Sequence, residues 1–391
     1  MPANTYGTAT SGSSQIKRSQ SLKLHCTKAD LFQGIQTVQS AISQRSTLPV
    51  LGNILFEADD QGLRLSATDL EVGIRTWVKA DVIEKGAVTI PAKIFADFLR
   101  TLEDNREIKL EVSENSKIEI RSGRDRLNVT GLPKEDYPVL PEFDESKSVA
   151  ISKTVIREMV KKTMFAASAD ETRYVLNGVH FILEKGKATG VATDGRRLAY
   201  IQRPIADKGL QIKVIVPTKA VQELVRLVSD EKKTESDDLK VSFTDNQASF
   251  SDGTTVILSR LIEGHFPNFE QVIPKTKDIQ LRLDRTQLLA SVTRAAVGTL
   301  ERGGSVRLSL TKGALRIQAA AQGRVEVESE VATNYEGPEF EVAFNPAYLS
   351  DVLKALETND IVIELTTPLN PGVIRPADDE SYRYVMMPMK L

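Results

Sequence analysis

Along this chain the spacing of apolar positions switches between a period of two and a period near 3.6 residues, and the switch recurs three times. VTIPAKIFADFLRTL from Val88, VIVPTKAVQELVRLV from Val214 and EVAFNPAYLSDVLKAL from Glu341 each lead a short apolar strand into a helix. Aligned on the residue that opens each helix (Pro91, Pro217, Asn345), the copies lie 126 and 128 residues apart. Proline is tolerated in a first helical turn, and Asn345 followed by Pro346 reads as an N-cap with proline at the first helical position. The spacing predicts a buried stripe of Ile94, Phe95, Phe98, Leu99 and Leu102 in the first copy. The same offsets give Ala220, Val221, Leu224, Val225 and Val228, then Tyr348, Leu349, Val352, Leu353 and Leu356. The opposite face carries Lys93, Asp97 and Arg100, then Lys219, Glu223 and Arg226, then Asp351 and Lys354, so Arg100, Arg226 and Lys354 are in register.

A second helix stands upstream in each copy. TKADLFQGIQTVQSAI from Thr27, SKTVIREMVKKTMFA from Ser152 and DRTQLLASVTRAAV from Asp284 begin with a capping residue before a helical apolar pattern. Their first basic residues, Lys28, Lys153 and Arg285, are 125 and 132 apart. Between and after the helices, GLRLSATDLEV, KIEIRSGRDRLNV, KATGVATDGRRLAYI, LKVSFTDNQASFSDGTTVILSRL, GALRIQAAAQGRVEVESEV and DIVIELTTP alternate as strands broken by Gly, Asn or Asp. The fold class expected is α+β, with one domain of two helices on antiparallel sheets used three times. Each copy is roughly 125 residues, an ordinary domain size. The predicted limits are a disordered polar tail over 1–21 and domains over 22–145, 146–275 and 276–391.

Composition narrows the class. With 41% hydrophobic and 27% charged residues in 391, the chain has ample core, and it holds no apolar run long enough to span a membrane. Its single cysteine, Cys26, allows no intrachain disulfide and suits a reducing, cytoplasmic setting. The first residues, MPANTYGTATSGSSQIKRSQ, lack the apolar stretch of a secretory signal.

The distribution of charge says more than its total. Over helices taken as 28–42, 92–102, 153–168, 218–228, 285–299 and 346–356 there are twelve Lys/Arg against five Asp/Glu, a charge of +7. The whole chain is −2, which leaves −9 outside the helices. One charged helix face is ordinarily a solvated face. Four of the six are net positive and none is net negative, which points to a shared basic surface facing a polyanion. An acidic body behind such a surface favours loose contact over tight nonspecific binding.

RSTLPVLGNILFEA (Arg45 to Ala58), TRYVLNGVHF (Thr172 to Phe181), VATDGRRLAY (Val191 to Tyr200), EGHFPNFEQVIP (Glu263 to Pro274) and YVMMPMKL (Tyr384 to Leu391) come in an order and spacing that resembles the bacterial replicative sliding clamp, the beta subunit of DNA polymerase III. The likeness runs from about residue 22 to the end. It implies a homodimer closed head to tail into a six-domain ring, with the helices lining a hole around duplex DNA and the strands outside. Such a protein performs no chemistry and needs no cofactor or metal. It tethers the polymerase III alpha subunit, and it is opened and closed by a clamp loader through the loader's delta subunit. The sequence agrees in having no G-x-x-x-x-G-K-[ST] loop and only three histidines, His25, His180 and His265.

The resemblance also implies a cleft for peptides of the Gln-x-x-Leu-Phe type, borne by polymerases, the loader and repair proteins. The matching positions are Leu176, Thr193, Gly195, Arg197, Leu198, Pro267 and Val272, with Tyr348, Val385, Met386, Met387, Pro388 and Met389. Methionine is adaptable enough to receive many peptides. Proline at 388 would keep the terminal segment out of a regular internal strand. Taken singly, the methionines would be core filler, Tyr348 would pack its own helix, and Thr193–Asp194–Gly195 would be an ordinary turn. The chain departs from the family pattern at the Gly303–Gly304 pair, where relatives can carry a further aromatic, and at Gln271, in place of a basic residue. Leu369 and Pro371 occupy the flanking loop.

For DNA the resemblance points to Arg45, and the charge pattern to Arg100, Lys161, Lys162, Lys219, Arg226 and Lys354. For the subunit joint the resemblance points to Leu127 and Val129 facing the partner's Val297. Two other classes make different demands on the sequence. An enzyme would need convergent acid, base or metal groups, which Asp69, Asp194 and three scattered histidines do not form. A monomeric repeat-built binding scaffold unrelated to DNA would keep the threefold pattern without needing basic helices in register.

Overall fold

The computed structural model describes residues 21–43, 47–229, 237–299, 304–321 and 325–390. Two compact units emerge. One holds residues up to Asp69 with Arg75–Val139, and the other holds Leu70–Ile74 with Leu140–Leu391. The polar tail 1–20 and Arg45 lie outside the described residues, as does Gly303.

Six α-helices run through the described residues: α1 (Lys28–Gln39), α2 (Ala92–Arg100), α3 (Lys153–Thr163), α4 (Thr218–Ser229), α5 (Arg285–Ala296) and α6 (Pro346–Ala355). They pack in sequential pairs, α1 beside α2, α3 beside α4 and α5 beside α6. The capping residues read from the sequence act as caps. The Thr27 hydroxyl accepts from the Asp30 amide at 3.1 Å, Ser152 from Thr154 at 3.2 Å, the Asp284 carboxylate from Gln287 at 2.8 Å, and Asn345 from Ala347 at 2.9 Å.

The first amide of each leading helix has no partner within its own helix. In all three copies the segment following the second helix supplies one. Lys28 N donates to Arg106 O at 2.8 Å, Lys153 N to Asp237 O at 2.6 Å, and Arg285 N to Asn359 O at 2.7 Å. Two side chains extend the device to the end of the second helix. Arg157 Nε donates to Val228 O at 2.8 Å, and Arg285 Nη1 to Leu353 O at 3.0 Å. The repeat is thus conserved in its hydrogen bonding as well as in its apolar pattern.

The apolar stripes are mostly buried, with Phe98, Leu102, Val225 and Tyr348 half-buried and one residue misplaced. In α2 the core face is Ala92, Phe95, Ala96 and Leu99, while Ile94 is 55% exposed. These four share one face at helical spacing, which leaves Ile94 on the outer side. Burying a side chain such as Phe95 stabilises by about 1.5–3 kcal/mol.

In the first unit a five-stranded antiparallel sheet has the order Asp81–Glu84, Leu22–Thr27, Glu107–Ser113, Lys117–Ser122 and Asp125–Thr130. In the second unit an eight-stranded sheet joins the second and third repeats. Strands Gln211–Pro217, Gly178–Glu184, Lys187–Thr193 and Arg197–Pro204 form one half, and Tyr382–Met386, Gly372–Pro376, Asp360–Leu365 and Ile279–Asp284 form the other. The seam is antiparallel, with Leu198 opposite Val385 and Tyr200 opposite Arg383. A four-stranded sheet, Val325–Ala332, Ala314–Ala321, Val306–Thr311 and Phe340–Phe344, completes the third repeat.

Candidate functional site

A cleft of about 150 Å³ opens beside the seam of the second unit. Its floor is apolar and buried, formed by Leu176, Leu198 and Val385, and its rim is the exposed pair Val272 and Met387. Pro267 supplies a wall, with Thr193 and Gly195 from the hairpin between Lys187–Thr193 and Arg197–Pro204. That hairpin is held by its own polar atoms. The Thr193 hydroxyl donates to Arg197 O at 2.6 Å, the Asp194 carboxylate accepts from the Arg196 and Arg197 amides at 2.9 and 3.0 Å, and Gly195 takes φ of +84°. Asp194 is therefore structural, as the turn reading had it.

Arg197 sits at the centre of the cleft's support. Its Nε donates to Asp194 at 3.1 Å, Nη1 to Asp351 of α6 at 2.6 Å, and Nη2 to Phe165 O at 2.6 Å. The guanidinium lies 4.4 Å from the centre of the Tyr348 ring, a cation–π contact. Burial works against its charge, but Tyr384, Asp351 and Asp194 outweigh that, so its pKa stands above the ordinary arginine value.

The structure redistributes several predicted cleft residues. Met386 is 1% exposed and lies in the core, because it is a strand residue paired with Arg197 whose side chain takes the inner face. Tyr348 does not line the cleft and instead braces Arg197 from outside it. Pro388 and Met389 do not line it either. The strand ends at Met386, and the Met389 amide donates to Ala343 O at 2.8 Å. Arg196, Asn268 and Phe269 do line the cleft and were missed. All three fall inside the segments VATDGRRLAY and EGHFPNFEQVIP. Gln271 is exposed beside the cleft without lining it, and Leu369 is fully in solvent.

A second node ties the same two repeats together. Arg203 donates to Glu158 from Nε at 2.7 Å and from Nη2 at 2.5 Å, to Asp379 at 2.7 Å, and to the Ser381 hydroxyl. Lys162 pairs with Glu158 and lies 5.6 Å from the Tyr382 ring centre, leaving its side chain only 11% exposed. It is engaged within the fold, which corrects its reading as a helix-surface cation.

The other helix cations remain on the surface. Arg100 meets Asp97 at 2.6 Å, Arg226 meets Glu223 at 2.8 Å, and Lys161 pairs with Glu357. Lys219 is exposed, and partial burial of its ammonium lowers its pKa. Lys354 is exposed and has no acidic partner among the described residues. The acid three positions before it, Asp351, is held by Arg197 instead.

Leu127 and Val129 are half-buried on Asp125–Thr130, the outermost strand of its sheet. Val297, at the end of α5, is 70% exposed beside Val325–Ala332, the outermost strand of the four-stranded sheet. Among the described residues no group of three or more His, Cys, Asp or Glu could hold a metal, and no helix is long and apolar enough to cross a membrane.

Two helices on antiparallel sheets, repeated three times, define a tandem clamp-domain protein. Family models for the DNA polymerase III beta subunit match the chain in three parts: the N-terminal domain over residues 22–141, the central domain over 150–268 and the C-terminal domain over 270–390. The beta sliding clamp of Haemophilus influenzae is 33% identical over 371 residues, covering 95% of this chain and 100% of the relative. That of Chlamydia pneumoniae is 33% identical over 372 residues, covering 95% and 99%. Among solved structures, a Pseudomonas aeruginosa sliding clamp bound to griselimycin superposes with a TM-score of 0.87 at 31% identity, covering 95% of this chain and 100% of that one. A C. crescentus beta sliding clamp with bound PEG gives 0.89 at 31%, covering 95% and 99%. The chain belongs to the DNA polymerase III beta subunit family. Its role is that of a DNA sliding clamp, a non-catalytic accessory subunit in DNA replication, which decides against both the enzyme and the monomeric-scaffold readings.

Proposed function

We propose that the chain works as a homodimeric ring around duplex DNA, with clamp domains over 22–145, 146–275 and 276–391, and that the seam cleft is where its partners dock. The partners are the polymerase III alpha subunit, the clamp-loader delta subunit, and other polymerases and repair proteins bearing Gln-x-x-Leu-Phe-type motifs. The setting is cytoplasmic.

The observation that carries this reading is the cleft itself. It joins a buried apolar floor, an exposed Val272–Met387 rim and a fixed arginine behind the wall, which suits a short peptide with two or three apolar anchors. Arg45, Arg100, Lys161, Lys219, Arg226 and Lys354 are the proposed phosphate contacts. Leu127 and Val129 would face Val297 of the partner subunit, closing two exposed sheet edges that are otherwise liabilities.

The test is removal of residues 387–391 from the full chain, followed by calorimetric titration with a Gln-x-x-Leu-Phe peptide. Loss of Met387 opens one side of the cleft, so affinity should fall at least tenfold while the thermal transition stays in place. Unchanged affinity would refute the cleft.

A further inference from the structure

Beside the cleft lies a larger cavity of about 520 Å³, a size that ordinarily holds a ligand. The Phe269 ring lines both. Their floors are also continuous, since Leu198 and Val385 under the cleft belong to the same apolar cluster as Val373 and Ile273 of the cavity. The seam explains why. Leu198 opposite Val385 is followed two residues along by Tyr200 opposite Arg383, and alternate residues share one face of a sheet. The first pair lines the cleft and the second lines the cavity, so about 7 Å, two residues of extended chain, leads from one to the other.

The charges of the cavity are unevenly satisfied. Glu364, which is buried, meets Arg375 at 2.8 Å and Lys277 at 3.1 Å, and Glu380 lies 3.6 Å from each of the same two cations. Those four groups answer one another. Arg383, half-buried, and Lys275, exposed, have no acidic partner among the described residues, against Glu270 as the one lining acid without a cation. The Tyr200 and Phe269 rings, 6.0 Å apart, supply an aromatic wall beside them.

We propose that this cavity seats the residues flanking a partner's cleft-binding motif, and that Arg383 and Lys275 select acidic side chains there. The proposal rests on the cleft reading above. It adds a second recognition zone that separates partners sharing one motif by what stands next to it.

The test uses fluorescence anisotropy with the full chain and three kinds of peptide: the minimal motif, the motif extended at one end or the other by three aspartates, and the same extensions in serine. At one of the two ends the aspartate extension should bind about three- to tenfold more tightly than the serine extension, as one or two half-exposed ion pairs allow. The Lys275→Glu/Arg383→Glu variant should lose that gain and keep the affinity for the minimal peptide. Lys275→Glu alone, on an exposed position, should lose part of it, which covers the case in which the double variant fails to fold. Equal binding of aspartate and serine extensions, or a gain that survives the substitutions, overturns the second zone while leaving the cleft intact. No binding of the minimal peptide overturns the cleft and this zone together.

Discussion

Arg197 reaches Asp351 at 2.6 Å, so a strand of the second repeat is bonded to the helix of the third. The same arginine closes the back of the cleft. Replacing it with alanine strands Asp351, Asp194 and the Phe165 carbonyl, and should cost about 2 kcal/mol of stability. Peptide affinity should fall at least tenfold. It also returns Asp351 to Lys354, three residues on, the spacing at which Asp97 meets Arg100 and Glu223 meets Arg226. Thermal denaturation and peptide titration of Arg197→Ala read the first two effects. A variant with wild-type stability would show that the node is dispensable.

Glu158 makes the other node dependent on pH. Its carboxyl is held below the usual range by the Arg203 hydrogen bond, with Lys162 adding to this against the opposing effect of burial. Asp379 is lowered too, because its bonds to Ser381 and Arg203 outweigh burial. A depressed folded pKa gives stability that is present above the unfolded value, near 4.5 for Glu158, and is lost as pH falls through the folded pKa. Urea unfolding should therefore show the wild type losing stability below about pH 4.5. Glu158→Gln should be less stable at pH 7 and flatter across that window. Parallel pH curves for the two proteins would remove Glu158 from the account.

The in-register cations predict a collective effect. Arg100, Arg226 and Lys354 are exposed, and two of them already share their charge with an acid on the same helix. Each single charge reversal should change DNA loading little. The triple reversal should abolish most of it and flatten the salt dependence by about three phosphate contacts. Normal loading by the folded triple variant would reject the helices as the DNA surface.

Val297 is a large apolar group left in solvent at the end of α5. An aspartate there would place a charge in the subunit joint. Sedimentation of Val297→Asp should show dimer dissociation at least tenfold easier than in the wild type, about 1.4 kcal/mol, with monomers of 43.1 kDa appearing first. Identical association would move the joint elsewhere.

How much of this was legible in the sequence depended on the range of the interaction. The caps at Thr27, Ser152, Asp284 and Asn345 were readable because each bonds an amide two or three residues away. Ile94 was misplaced because helical spacing alone leaves two neighbouring stripes possible, and packing on the sheet chose the one with Ala92 and Ala96. Met386 and Met387 are alike in sequence. The pleat buries one and leaves the other on the cleft, and that parity follows from pairing with Arg197 across the seam. Arg196 lies within VATDGRRLAY, and Asn268 and Phe269 within EGHFPNFEQVIP, yet only the tertiary arrangement shows that they face the cleft. Half of the Lys162 ion-pair network was visible as Glu158 four residues earlier. The other half, Arg203, was not.

Retention on DNA tests the clamp most directly. The protein, loaded onto nicked circular duplex by a clamp loader and then moved to high salt, should stay bound to the circle and leave soon after the circle is cut once. A ring that holds by linkage loses nothing to salt and everything to a free end, whereas phosphate contacts weaken steeply with salt. Equal retention on circular and linear DNA, or release from the intact circle by salt alone, would contradict the topological mechanism.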